Sequence, residues 1–154
     1  MIPGLAAFAS RFADVERRDR QVLVMRGHPT LGSAEYSVLE FYCAASDCDC
    51  RLVMFGVIAA GAREPEAWIS WCFEPQPGVP GPELDAMHSQ GPWAAALLEE
   101  LQRLLARDEN LRLRIAEHYG LMKGAQPKGA SKAGRHHGLS PDVGAARHSL
   151  RREL

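Results

Sequence analysis

Apolar residues along the chain follow two different periods, and the first is typical of β-strands. Four short runs between residues 21 and 74 are rich in branched and aromatic side chains and partly alternate with polar ones. We predict strands over residues 21–26, 36–43, 51–60 and 67–74. Short loops join these runs, so consecutive strands are expected to pair in antiparallel fashion.

The second period, with apolar residues three and four positions apart, predicts amphipathic helices. One such helix is expected over residues 4–17, and another begins near Pro92 and carries a stripe of leucines. Asp108 can cap a further helix, which Gly120 is expected to close. Residues 75–92 contain five prolines and three glycines, so an irregular crossing loop is predicted there.

Together these elements predict an α+β fold, in which helices pack on one face of a small, mainly antiparallel sheet. The apolar members of the alternating strands should share the face that the helices cover. On this prediction the core face of the sheet carries Leu39, Phe41, Leu52, Met54, Ile69, Trp71 and Phe73.

Charge divides the 154 residues into two parts. Residues 1–122 hold eleven arginines, no lysine and seventeen acidic residues, whereas residues 123–154 hold seven basic and two acidic residues. We therefore predict an α+β domain over 1–122 and a flexible basic tail over 123–154, with a short terminal helix from Ser140. Such a tail could contact an anionic partner, either RNA or an acidic protein surface, or serve only to solubilise the chain.

The four cysteines are best interpreted through the compartment in which the chain resides. No apolar run is long enough to span a bilayer, and the N-terminal residues lack the pattern of a signal peptide, so a cytoplasmic location is expected. In a reducing compartment, clustered cysteines more often bind a metal ion or perform redox chemistry than form structural disulfides.

Three of these cysteines, Cys43, Cys48 and Cys50, fall within eight residues. If strands 36–43 and 50–60 form a hairpin, Cys43 lies opposite Cys50, at a Cβ separation of about 4.5–5.5 Å. Cys48, at the end of the loop, can then supply a third thiolate. Sulfur-rich tetrahedral sites favour zinc, although iron also suits them.

A fourth ligand for the ion has several candidates. His118, near the end of the last predicted helix, is favoured. Strand alternation places Cys72 on the face opposite the cysteine cluster, so it is discounted. His28, Asp47, Asp49 and water remain open as alternatives.

Other interpretations of the cluster also remain open. The thiols could be small buried apolar groups, or Cys43 and Cys50 could form a disulfide across the hairpin. Because no nucleotide-binding or hydrolase motif is present, we favour a structural zinc ion in a non-enzymatic interaction module. The alternative is a thiol-redox or metal-dependent enzyme or sensor that uses Cys48 and Cys50.

The segments Tyr42-Cys43 and Cys48-Asp49-Cys50-Arg51, with the apolar run that follows, resemble a group of uncharacterised bacterial proteins that carry Tyr-Cys-x4-Cys-Asp-Cys-Arg. The segment Glu117-His118-Tyr119 is similar to theirs as well. The resemblance covers about half the chain, is specific only at the cysteines and implies no activity. Members of the group usually have Asp-Pro-Gly or a similar tripeptide where this chain has Ala44-Ala45-Ser46, which bears on the shape of the loop more than on ligation.

Overall fold

The computed structural model describes residues 4–74, 77–78 and 81–124, and it has the predicted α+β fold. The predicted terminal helix and almost all of the basic tail lie outside the described residues. The strands are β1 (Leu5–Ala7), β2 (Gln21–His28), β3 (Gly32–Cys43), β4 (Leu52–Ala59), β5 (Ala67–Cys72) and β6 (Glu83–Leu84). The helices are α1 (Ala13–Asp19), α2 (Ala94–Arg107) and α3 (Glu109–Gly124), and a 3-10 turn spans Phe8–Ser10.

The six described strands form one sheet in which every pair is antiparallel, as the short connections predict. The order is β1-β3-β4-β5-β6, and β2 also pairs with β3. Since β4 occupies one edge of β3, β1 and β2 share the other edge. The twelve-residue length of β3 accommodates both, with β2 along its first half and β1 along its last three residues.

The helix-covered face of the sheet differs from the predicted one. Tyr42 pairs with Val53, and Val53 pairs with Trp71, so these three side chains share the face that packs against the helices. Phe41 and Met54 therefore lie on the outer face, away from Ile69 and Trp71. The prediction was wrong because β3 and β4 are apolar on both faces, so alternation could not select the one that the helices cover.

A small second cluster buries part of that outer face. The ring of Trp68 packs against Phe41 at 5.2 Å and stacks on His88 at 4.3 Å between centroids. The side-chain amide of Gln90 accepts a hydrogen bond from the Trp68 N–H and donates one to the Trp68 carbonyl, both at 2.9 Å. The predicted crossing loop thus folds back over the sheet and contributes β6.

The N-terminal helix predicted over residues 4–17 is wrong in its first half. Leu5–Ala7 instead pairs with the end of β3, and the helix begins only at Ala13. The spacing of Phe8 and Phe12 mimics a helical face because the 3-10 turn stacks their rings at 5.3 Å. The backbone hydrogen bonds available at the edge of β3 outweigh the local periodicity here.

The last helix follows the prediction at its start and departs from it at its end. The Asp108 carboxylate accepts a hydrogen bond from the Leu111 N–H at 3.0 Å, which is the expected N-cap. Gly120 does not end the helix, which continues to Gly124 because Met122 is fully buried in the core. No helix among the described residues is long and apolar enough to cross a membrane.

Candidate metal centre

The cysteine cluster lies at the loop that joins β3 to β4. The ladder ends at the pair Tyr42–Val53, so Cys43 sits beside Leu52 and not opposite Cys50 as predicted. This two-residue offset lengthens the loop to residues 44–51. The hairpin prediction failed because both Cys50 and Arg51 leave the strand, and Arg51 takes the left-handed conformation with φ 54°.

The loop nevertheless brings the three predicted thiols together. The Sγ atoms of Cys43, Cys48 and Cys50 all lie within 4.8 Å of one another, and all three residues are half-buried free cysteines. Around a tetrahedral zinc ion with Zn–S bonds near 2.3 Å, two sulfurs stand about 3.8 Å apart. Only small side-chain adjustments would therefore bring the three thiolates onto one ion.

Two basic side chains hold this loop in place. Lys123, in the last turn of α3, donates hydrogen bonds to the carbonyl oxygens of Cys43 at 3.2 Å and Ala45 at 2.8 Å. Arg51 donates to Asp49 at 2.6 Å and to Glu74 at 2.7 Å. These bonds connect the loop to α3 and to the end of β5, so the cysteine positions depend on the whole domain.

Tyr119 lies between these two basic groups. Its ring centroid is 5.7 Å from the Arg51 guanidinium carbon and 5.3 Å from Lys123 Nζ, which is cation–π geometry. Burial is the main cause that raises the pKa of the phenol, so its hydroxyl stays protonated. Sequence reasoning missed Lys123 as a support of the loop because it lies about eighty residues from Cys43.

His118, the favoured fourth ligand, is placed elsewhere. Its Nδ1 lies 2.7 Å from Glu40 Oε1 and its Nε2 lies 3.1 Å from Asp19 Oδ2, so both ring nitrogens already have carboxylate partners. His118 does not join the group of three thiols. Both nitrogens of His28 are also occupied: Nδ1 accepts the N–H groups of Thr30 and Leu31, and Nε2 faces Glu100.

The prediction that Cys72 lies on the face opposite Cys43 is wrong. The backbone of Cys72 pairs with Leu52, the neighbour of Cys43, so Cys72 lies on the same face of the sheet as Cys43. It stays outside the group because β4 separates it from β3, and two strand spacings amount to about 10 Å. Asp47 is exposed, and Asp49 is bound to Arg51. Within the part of the chain that the structure describes, no histidine or carboxylate completes the group.

A groove of about 430 Å³ opens beside the cysteines on the outer face of the sheet. Cys43 and Cys50 line it at the β3 end, and Glu83 and Asp85 line it at the β6 end. The remaining lining is largely apolar and comes from β1 with the residue before it, from β4 and from β5: Gly4, Leu5, Leu52, Val53, Met54 and Ser70.

A second polar cluster, around His118, lies under the helix-covered face. The ring of Phe8 stacks on the imidazole at 4.1 Å, and Tyr42 donates a hydrogen bond to Glu40. Burial alone would lower the pKa of His118, but its hydrogen bonds to the Glu40 and Asp19 carboxylates, and their charge, raise that pKa above its ordinary value. Arg18 first, and then His118, hold the pKa of Asp19 at about 2. The His118 side chain, on α3, therefore joins this helix to α1 through Asp19 and to β3 through Glu40.

The fold and the site thus define an α+β domain with a candidate three-cysteine metal centre at one end of its sheet. The sequence matches no protein-family model and no curated protein, and the structure matches no solved structure.

Proposed function

We propose that this chain is a small zinc-binding protein in which Cys43, Cys48 and Cys50 hold a structural ion. The observation that carries the proposal is the approach of three Sγ atoms to within 4.8 Å of one another. Three thiolates brought this close repel one another unless a cation or protons intervene. Sulfur-rich sites select soft or borderline ions, and zinc in tetrahedral geometry is the ion most often bound structurally by cysteine.

The structural role follows from what the ion would join. The loop 44–51 exposes Ala45, Ser46, Asp47 and Asp49 and buries little apolar surface. An ion at the cysteines would fasten the end of β3 to the start of β4 without requiring a larger core. A rigid loop at the end of the sheet then offers a defined surface for a partner, which is the interaction module that we propose.

The basic tail is proposed as an accessory contact for an anionic partner, RNA or an acidic protein surface. Bound zinc thiolates are compatible with a reducing, cytoplasmic location, which we propose on the grounds of cysteine usage.

A metal-dependent or thiol-redox activity is the second candidate, and a specific observation favours it. The described residues supply three thiols and no fourth ligand, and Cys43 and Cys50 also face a groove. Catalytic zinc sites commonly combine three protein ligands with one exchangeable position. A dithiol–disulfide cycle at Cys48 and Cys50 would use the same residues without an ion.

Metal content of the full chain, purified with reductant and without chelator, tests the main proposal. We expect about one zinc per chain by elemental mass spectrometry, and the same stoichiometry in the matched control Cys72→Ser. Cys48→Ser should lose most of the zinc and melt at a lower temperature. Metal-free protein, or equal loss in both variants, would contradict a site at this cluster.

Thiol titration separates the two candidates. With zinc bound structurally, Cys72 should react quickly with a thiol reagent, whereas the other three thiols should react only after a chelator is added. Rapid, reversible formation of a disulfide by Cys48 and Cys50 in metal-free protein of unchanged stability would favour the redox alternative.

A further inference from the structure

The groove beside the cysteines is continuous across the sheet. Leu5 pairs with Cys43 in one row, and Met54, Ser70 and Glu83 follow one another in the next row. Directly paired residues point to the same face of a sheet. All of these side chains therefore line the outer face, from β1 at one edge to β6 at the other.

The chemistry of the groove changes along its length. Thiols stand at the β3 end, and the floor is apolar, with Leu52 43% exposed. At the far end Glu83 has an exposed carboxylate, while Asp85 receives hydrogen bonds from the Met87 N–H at 2.9 Å and from His88 at 2.8 Å. No lysine, arginine or histidine is among the described residues that line the groove.

We propose that this groove binds a small aminothiol, with its sulfur on the metal ion and its ammonium at Glu83. The inference rests on the proposed metal site, since the ion needs a fourth donor that the described side chains do not supply. A thiolate is the donor that a sulfur-bound zinc ion accepts readily. An apolar chain between the two ends would cover Leu52 and Met54.

The negative charge at the β6 end makes the groove selective among ligands. Asp85 is already paired with His88, but the exposed Glu83 carboxylate has no basic side chain among the described residues that line the groove, so it favours a cation and disfavours an anion. The backbones of β3 and β6 stand three strand spacings apart, about 14 Å, so a ligand must be extended to reach both ends. A molecule with only one of the two end groups would use only part of the site.

Cobalt-substituted full-length protein provides the test, because the visible bands of Co²⁺ report on its ligands. Uptake of Co²⁺ with sulfur charge-transfer absorption tests the metal site itself. Aminohexanethiol is then titrated beside mercaptohexanol, which is neutral, and mercaptohexanoate, which is anionic. We expect all three to change the visible bands, and aminohexanethiol to half-saturate at about fivefold lower concentration than the neutral compound, the factor that one exposed ion pair supplies.

Glu83→Gln should remove that preference, while the matched control Glu64→Gln, an exposed carboxylate outside the groove, should retain it. The aminothiol site is overturned, and the metal site stands, if Co²⁺ binds but its visible bands do not change when the three thiol compounds are added. The same holds if the three compounds bind equally tightly. Failure to bind Co²⁺ overturns the proposed function, and the aminothiol site with it.

Discussion

Replacement of His118 by leucine is expected to destabilise the domain strongly. The imidazole is 3% exposed and is the cation between Glu40 and Asp19. Removing one partner of a buried ion pair typically costs about 3–5 kcal/mol because it leaves uncompensated charge in the interior. The Glu40 and Asp19 side chains remain 10% and 16% exposed, so partial solvation places the cost near the lower bound, at about 3 kcal/mol. For a domain of this size that corresponds to a fall in Tm of about 12 °C.

The pH dependence of stability identifies the charged network. The pKa of His118 is raised in the folded state, so protonation of His118 stabilises the fold. This contribution to the free energy of unfolding is complete below the unfolded-state pKa, near 6.5, and is lost as the pH rises through the folded-state pKa. The pKa of Asp19 is lowered to about 2 in the folded state. Its contribution to the free energy of unfolding is therefore present above about pH 4 and is lost as the pH falls through about 2. Wild-type stability should therefore decline as the pH rises above 6.5, and the leucine variant should lack this decline.

Urea denaturation at a series of pH values, followed by tryptophan fluorescence, measures both effects. Adding Glu40→Gln to His118→Leu should recover about 1–2 kcal/mol, because it removes a buried carboxylate that has lost its cation. A loss below about 1 kcal/mol in the single variant, or an unchanged pH profile, would contradict a charged network at His118. Zinc content should not change in His118→Leu, which distinguishes a structural histidine from a metal ligand.

Three further substitutions probe packing, capping and the support of the loop. Gly56→Ala should lower the free energy of unfolding by about 1–2 kcal/mol in urea denaturation, because a Cβ there meets Phe41, Pro65 and Trp68 at 3.3 Å. An unchanged free energy would mean that these three side chains can move to accommodate the added methyl group. Asp108→Ala should cost about 1 kcal/mol by thermal melting, through loss of the N-cap of α3, whereas an unchanged Tm would contradict that role. Lys123→Met keeps the aliphatic stem but removes two hydrogen bonds to the cysteine loop, so zinc affinity in a chelator competition should fall about tenfold. Unchanged affinity would show that the loop holds the ion unaided.

Features encoded locally could be predicted from the sequence. The strands β2 to β5 follow runs of branched and aromatic residues, and they were predicted within a few residues of their observed ends. The thiols of Cys43, Cys48 and Cys50 converge because only eight residues of chain contain them, whatever the register of the hairpin. Asp108 was recognised as a cap because its bond reaches only three residues along the chain.

Features set by distant contacts could not be predicted in this way. Phe41 and Tyr42 are both large and apolar, so only tertiary packing decides which of them faces the helices. The partners of His118 come from α1 and β3, and nothing near position 118 indicates them. The two-residue offset of the hairpin accompanies the left-handed backbone conformation of Arg51, whose side chain bonds to Glu74, two residues past the end of β5.

The anchoring of the cysteine loop by Lys123 has a consequence for the order of events during synthesis. Cys50 leaves the ribosome about 70 residues before Lys123 does, which at 5–20 residues per second is roughly 4–15 s. Throughout that interval the three thiols are present without the helix that fixes their loop. Ion capture is therefore expected to complete folding and not to initiate it. The newly made chain is most vulnerable to oxidation, or to capture of a wrong metal, in those first seconds.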